Sequence, residues 1–147
     1  MFLYEDTASF NLVQRQLFTL GSNVLDMSIT SDSAFMAVAV MSSIYIFVNN
    51  AGVWSPNQTI PVAGAQFSQT SQLTDDHQYL VWAESSSNFC FVTPFDAGSH
   101  TFNVAASYNF TVNSFMKAIL SENKNYLIIS ELFGMSIYSN PTTDPVL

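Results

Sequence analysis

The stretch Ile29-Thr30-Ser31-Asp32-Ser33-Ala34-Phe35-Met36 recurs twice further along the chain, and this repetition decides the fold. Its counterparts are Leu73-Thr74-Asp75-Asp76-His77-Gln78-Tyr79-Leu80 and Leu120-Ser121-Glu122-Asn123-Lys124-Asn125-Tyr126-Leu127, at spacings of 44 and 47 residues. Each copy has an apolar residue, a hydroxyl, a polar residue, Asp or Asn, two further residues, an aromatic, and Leu or Met. Three matches to one eight-residue pattern indicate an internal repeat.

The pattern predicts the end of one strand, a polar hairpin turn capped by Asp or Asn, and a second strand that opens with an aromatic. A third apolar strand follows each aromatic after nine or ten residues, at 44–47, 89–92 and 135–138. A more polar fourth segment contains Pro56 and aligns Trp54 with Phe10 and Phe102, as an exposed edge strand would. Each repeat therefore predicts four short antiparallel strands.

Four-stranded units of 44 to 47 residues are typical of β-propeller blades, because a single blade has two apolar faces that only neighbouring blades can cover. We predict an all-β fold of such blades within one propeller-like domain or fragment, residues 1–147. The expected order is an outer strand at 10–20, blades at 24–60 and 65–108, and a partial blade at 112–139. Three blades cannot close a ring, so we expect either a longer propeller or a homo-oligomer that closes it.

Over about residues 10–139 the chain resembles the WD-repeat-like and related β-propeller superfamily. The Gly-His and Trp-Asp dipeptides of true WD repeats are absent, since Trp54 precedes Ser55 and Trp82 precedes Ala83. The resemblance implies a surface that binds protein partners. The Asp-box spacing of sialidase propellers is also absent, and this argues against a sialidase site.

The composition narrows the possible partners. Three basic and eleven acidic residues give a net charge of −8, which leaves little with which to neutralise nucleic-acid phosphates or an anionic membrane. Apolar runs are only strand length, so no membrane insertion is expected. The N-terminus shows no basic region followed by an apolar core, so no signal peptide is predicted, and the compartment stays open.

Few residues suggest chemistry. The lone Cys90, between Phe89 and Phe91, is expected to be a small core residue. Asp75-Asp76-His77 looks like a metal ligand set, but it occupies the hairpin turn, which accounts for its polarity without a metal. His100 follows a turn signal and is expected to be solvated. We predict no metal and no cofactor.

Catalytic motifs are missing from the sequence: it has no Gly-x-Ser-x-Gly, no phosphate-binding glycine loop and no His-Glu-x-x-His. The carboxylates Glu84, Glu122 and Glu131 carry no spacing that marks a hydrolase pair. We therefore predict a non-catalytic protein-interaction scaffold rather than an enzyme.

Two alternatives stay open at this point. One is a carbohydrate-binding propeller lectin assembled from several copies, in which Trp54 and Trp82 stack on sugar rings, although core packing explains both positions more simply. The other is a fragment of a propeller enzyme whose active site lies on blades absent from this chain. Asn57 and Asn109 begin N-glycosylation tripeptides, which matter if the protein is secreted.

Overall fold

The structure, a computed structural model, describes the backbone of residues 2–6, 12–62, 68–84, 88–113 and 115–143. These residues form antiparallel β-sheets and a single short 3-10 helix. The predicted all-β fold of consecutive antiparallel blades is confirmed. Among the described residues, no helix is both long enough and apolar enough to cross a membrane.

The first complete blade is a meander of four strands in chain order. These are β3 (Val24–Ile29), β4 (Phe35–Val40), β5 (Ser43–Asn50) and β6 (Val53–Pro61). Residues 36 to 40 of β4 are all buried, because the strand carries apolar side chains on both faces and both faces are covered.

The second blade repeats this order, with an outer strand in two pieces. It contains β7 (Ser68–Leu73), β8 (Tyr79–Glu84), β9 (Phe89–Asp96), β10 (Thr101–Phe102) and β11 (Tyr108–Thr111). Both β10 and β11 pair with β9, and the 3-10 helix Val104–Ala106 separates them. The sequence analysis did not predict this interruption.

The third blade has three strands, β12 (Phe115–Leu120), β13 (Tyr126–Glu131) and β14 (Gly134–Ser139). The N-terminal segment differs from the single outer strand expected at 10–20. There, β2 (Leu12–Leu17) pairs with a further strand, β1 (Phe2–Asp6). The sequence analysis missed β1. The eight-residue hairpin pattern marks only the junction between the first and second strands of a repeat, and the segment between β1 and β2 does not carry it.

Two apolar layers join the blades. Between the first and second blades, Ile44, Ile46 and Ile60 pack with Leu80 and Phe102. Between the second and third blades the layer contains Val81, Cys90, Val92, Phe110, Phe115, Leu127 and Ile129. Cys90 is fully buried, as predicted, and lies in this second layer. The assignment of the chain to one domain or to a fragment of one stays a prediction.

Candidate functional site

A groove runs along the first strands of the three blades, where β3, β7 and β12 lie side by side. Its volume is about 490 Å³. Its lining residues come from the ends of these strands and from the hairpins that follow: Ser28, Ile29, Gln72, Leu73, Thr74, Asp75, Asp76, Leu120 and Glu122. First strands lie innermost in a propeller, so in a completed ring this groove would lie on the wall of the central channel.

A smaller groove of about 230 Å³ adjoins the first and shares Ser28 and Gln72 with it. It adds Asp26 from β3 and Lys117 from β12. Lys117 brings a cation to a wall on which the other charged groups are carboxylates. The two grooves together form a continuous surface on which these charged groups alternate with apolar side chains such as Met27 and Ile119.

Local hydrogen bonding explains why the hairpins at this wall form where they do. Thr30 N–H donates to the carbonyl of Phe35 at 3.0 Å, which closes the turn. Asp32 Oδ1 accepts hydrogen bonds from Thr30 Oγ1 at 2.7 Å and from the Ala34 amide at 2.9 Å. The carboxylate therefore caps its own turn, as the sequence pattern predicts.

The same bonds recur in the next two hairpins. Thr74 N–H donates to Tyr79 at 3.0 Å, and Ser121 N–H donates to Tyr126 at 2.9 Å. One residue of each turn, Ser33, His77 or Lys124, has a φ between 58° and 61°. A left-handed residue is uncommon outside glycine, so its recurrence reflects one turn geometry used three times.

Successive hairpins are linked by side-chain contacts between these left-handed residues and the capping carboxylates. His77 Nε2 lies 3.0 Å from Asp32 Oδ2, an ion pair when the imidazole is protonated. Lys124 Nζ pairs with Asp76 Oδ2. Asp75 Oδ1 accepts a hydrogen bond from the Ser31 amide at 2.8 Å, which joins the first two hairpins a second time.

These contacts shift the acidity of Asp32. The Ala34 amide and the Thr30 hydroxyl, with a smaller effect of His77, lower the pKa of Asp32 to about 2. Asp32 is therefore ionised at any physiological pH. Asp32 consequently serves as an anchor of its own turn rather than as a proton donor.

The first strands are joined by side chains that bond the backbone of the next blade. Ser28 Oγ accepts a hydrogen bond from the Leu73 amide at 3.0 Å. Gln72, 44 residues after Ser28, accepts from the Leu120 amide at 2.8 Å and donates to the Leu120 carbonyl at 3.4 Å. These hydrogen bonds connect β3 with β7 and β7 with β12, the three strands along which the groove runs.

This arrangement fits a polar, hydroxyl-rich ligand. Carboxylates of Asp75, Asp76 and Glu122 line the groove beside apolar Ile29, a combination that suits the hydroxyls and ring carbons of a sugar derivative. Within the described ranges, no group of three His, Cys, Asp or Glu residues is placed to hold a metal ion.

The structure places the two tryptophans of the lectin hypothesis in different surroundings. Trp82 is 2% exposed, stacks on Phe91 with ring centroids 4.2 Å apart, and donates from Nε1 to Thr93 Oγ1 at 2.8 Å. Its faces are not accessible to a sugar. Trp54 is half-buried beside the cluster around Phe47. Sugar stacking at Trp54 stays a prediction.

The remaining predicted residues lie on the surface. Asn57 and Asn109 are exposed, and their glycosylation stays a prediction. Asn57 Nδ2 donates to the carbonyl of His100 at 2.9 Å. His100 is exposed, as expected, and adopts a left-handed φ of 55°.

Sequence reasoning missed the glutamines that join the outer strands. Gln16 accepts from the Trp54 amide at 2.7 Å and donates to its carbonyl at 3.0 Å. Gln58 brackets the backbone of Phe102 in the same way, at 2.8 and 2.9 Å. The alignment of Trp54 with Phe102 could have indicated these contacts, because the backbone of each aligned residue bonds a glutamine side chain from the preceding outer strand.

Comparison with solved structures identifies the fold as a β-propeller. A protein from Bacteroides uniformis with a provisional assignment as a 6-phosphogluconolactonase is 11% identical, with a TM-score of 0.75 over 94% of this chain and 43% of its own. The periplasmic gluconolactonase of Pseudomonas aeruginosa is 14% identical, with a TM-score of 0.67 over 92% of this chain and 41% of its own.

The WD40 repeats of RRP9 are similar to the same degree, at 16% identity and a TM-score of 0.69 over 90% of this chain and 40% of that protein. The chain thus spans less than half the length of these propellers. No protein-family model matches the sequence, and no curated protein matches it significantly.

These comparisons correct the functional prediction. The interpretation as a non-catalytic interaction scaffold is wrong, because propellers of this shape include proteins named as lactonases. The sequence analysis took missing catalytic motifs as evidence against an enzyme. Missing motifs of this kind do not argue against a propeller enzyme, because they describe folds with a local nucleophile or phosphate loop, whereas a propeller collects its site from several blades.

Proposed function

We propose that this chain forms part of a propeller enzyme that hydrolyses a sugar lactone. The observation that carries the proposal is the similarity to a gluconolactonase and to a provisionally assigned 6-phosphogluconolactonase, each over more than nine-tenths of this chain. The hypothesis of an enzyme whose active site lies on further blades agrees with this similarity better than the scaffold or the lectin does.

In this proposal the groove on β3, β7 and β12 holds the hydroxyl groups of the substrate. Glu122 and Asp76 offer acceptors, and Gln72 stiffens the wall between them. Catalytic groups that attack the lactone carbonyl would come from the opposite wall of the channel, on blades that complete the ring. The distant WD-repeat kinship suggested by the sequence belongs to this proposal too, supported by the similarity to the RRP9 repeats.

The test is lactone hydrolysis above the spontaneous rate, measured with glucono-1,5-lactone and its 6-phosphate. We expect activity from the completed propeller, whether the 147-residue chain assembles it or a longer reading frame encodes it. In the active form, Glu122→Gln should raise KM, whereas the matched control Glu131→Gln, which is not among the groove-lining residues, should leave KM unchanged. No hydrolysis of either lactone by any folded form would overturn the proposal.

A further inference from the structure

The strands of this chain can be sorted by their position in the repeat. First strands are β3, β7 and β12, and second strands are β4, β8 and β13. Fourth, outer strands are β6, the divided β10 and β11, and β2, which bonds β6 through Gln16 as β6 bonds β10 through Gln58. Third strands are β5, β9, β14 and β1, since β1 pairs with the outer strand β2. The described residues thus hold three full sets and one surplus third strand.

Because the described residues include this additional third strand, two strands can pair with β2. Its edge is occupied by β1, while β14 has an edge that no described strand pairs. Both β1 and β14 are third strands, so either one fits beside an outer strand. An outer strand beside β14 would complete the third blade.

The uncovered face of the third blade shows what it should pack against. Val81 and Cys90 of the second blade are fully buried beneath the third blade. In the third blade the register equivalents of Val81 and Cys90 are Ile128 and Met135, which are 36% and 64% exposed, and Ile137, paired with Ile128 as Val92 is with Val81, is 47% exposed. The same face therefore lacks the blade that covers it in the preceding unit.

The hairpins indicate which blade fits there. Asn123 stands where Asp32 and Asp76 stand, and its Oδ1 accepts from Ser121 Oγ and the Asn125 amide as Asp32 Oδ1 accepts from its own turn. The Nδ2 of Asn123 consequently stands in place of the carboxylate oxygen that contacts the next hairpin. That contact is made with His77 between the first and second blades and with Lys124 between the second and third. A donor there needs an acceptor at the left-handed position of the next hairpin, and Ser33 in the first blade offers a hydroxyl oxygen where the other two hairpins have His77 and Lys124.

We propose that a second copy of this chain completes the propeller, with β14 of each copy taking the place of β1 beside β2 of the other. Three blades from each copy make a ring of six, within the usual range of propellers. The first blade of one copy then packs on Ile128 and Ile137 of the other, and Asn123 meets Ser33. Displaced β1 becomes a detachable strand that competes with assembly.

Sedimentation velocity across protein concentrations tests the assembly. We expect a concentration-dependent dimer that Ile128→Asp disrupts and that Val53→Asp, at a 59% exposed position on β6, leaves intact. Removing residues 1–11 should tighten the dimer, because β1 no longer competes for β2. Circular dichroism checks that each variant folds, and Met135→Ser is a milder change on the same face.

The pairing of particular blades has a test of its own. Ser33→Lys together with Asn123→Asp recreates the ion pair found between Asp76 and Lys124, and Lys124 shows that lysine accepts this left-handed position. We expect the double variant to dimerise up to about tenfold more tightly at low salt, and neither single variant to do so. Within one copy the second blade separates the two positions, so monomer stability should not change.

A monomer at all concentrations would overturn the proposal. So would a dimer that Ile128→Asp does not weaken, a truncation that loosens it, or a double variant no tighter than the singles.

Discussion

Three residues of different chemistry, Ser33, His77 and Lys124, occupy the same left-handed position in successive hairpins. None of the three is glycine, so each turn holds a residue with a side chain in a left-handed backbone conformation that is uncommon outside glycine. Where that side chain is a cation, it pairs with the capping Asp of the preceding hairpin. One position therefore shapes the turn and joins two blades.

The low pKa of Asp32 predicts a pH dependence of folding. Its folded pKa of about 2 lies below the ordinary value of 3.8, so the charged form stabilises the fold above pH 4, and this contribution is lost as the pH falls toward 2. Urea unfolding should find Asp32→Ala less stable than the wild type at pH 7, with the difference much reduced at pH 2.

Asp32→Asn is the matched control, because Asn123 performs the same capping in the third hairpin. We expect it to be more stable than Asp32→Ala at pH 7. An equal loss in both variants would show that the capping oxygen does not contribute to stability.

Cys90 should be chemically inert in the folded protein. Burial raises the pKa of its thiol to about 12, so almost no thiolate exists at neutral pH and no reagent reaches it. An aromatic disulfide reagent at pH 8 should label the thiol completely in denaturant and only at the rate of unfolding without it. Rapid labelling of the native protein would contradict its placement between the second and third blades.

At the scale of elements, the outer strands are linked by side chains rather than by a shared sheet. Gln58 satisfies both backbone groups of Phe102, and Gln16 does the same for Trp54. The position 48 residues after Gln58 is Ala106, in the 3-10 helix that divides the second outer strand. The second outer strand therefore has no glutamine at the equivalent position.

Gln58→Ala should destabilise the protein by about 1–3 kcal/mol, since it removes two hydrogen bonds and leaves the Phe102 amide without a partner. Chemical denaturation measures this effect. The neighbouring exposed Thr59→Ala is the control, with an expected change of about 0.5 kcal/mol or less. Equal effects of the two changes would mean that the apolar layers alone hold the blades together.

At the scale of the whole molecule, charge and apolar surface act against each other. The net charge of −8 weakens association between copies at pH 7, while the third blade exposes Ile128, Met135 and Ile137 on one face. Repulsion disappears near the isoelectric point of about 4.1, where only the apolar attraction remains.

Light scattering across pH should therefore show the strongest association near pH 4. Ile128→Asp should reduce the scattering at that pH, and Val53→Asp, which adds the same charge elsewhere, should reduce it less. If both variants behave alike, net charge alone governs association.

The blades could be predicted from the amino-acid sequence because each hairpin depends on chemistry between residues close together in the chain. The hydroxyl, the Asp or Asn cap and the aromatic all act within eight residues, so three copies of that pattern were enough to place the hairpins and the strands around them. Core packing of Trp82 was expected from the same alignment, and burial of Cys90 from its place between two phenylalanines on a strand.

Only the tertiary structure decided how the blades join and what surface they present. The contacts of Gln72 with Leu120, Gln58 with Phe102 and His77 with Asp32 connect residues 44 to 48 apart, and no local pattern reports such contacts. The groove exists because three first strands lie side by side, which depends on how each blade packs on the next. Local sequence patterns report contacts within one hairpin, whereas the groove depends on how neighbouring blades pack on one another.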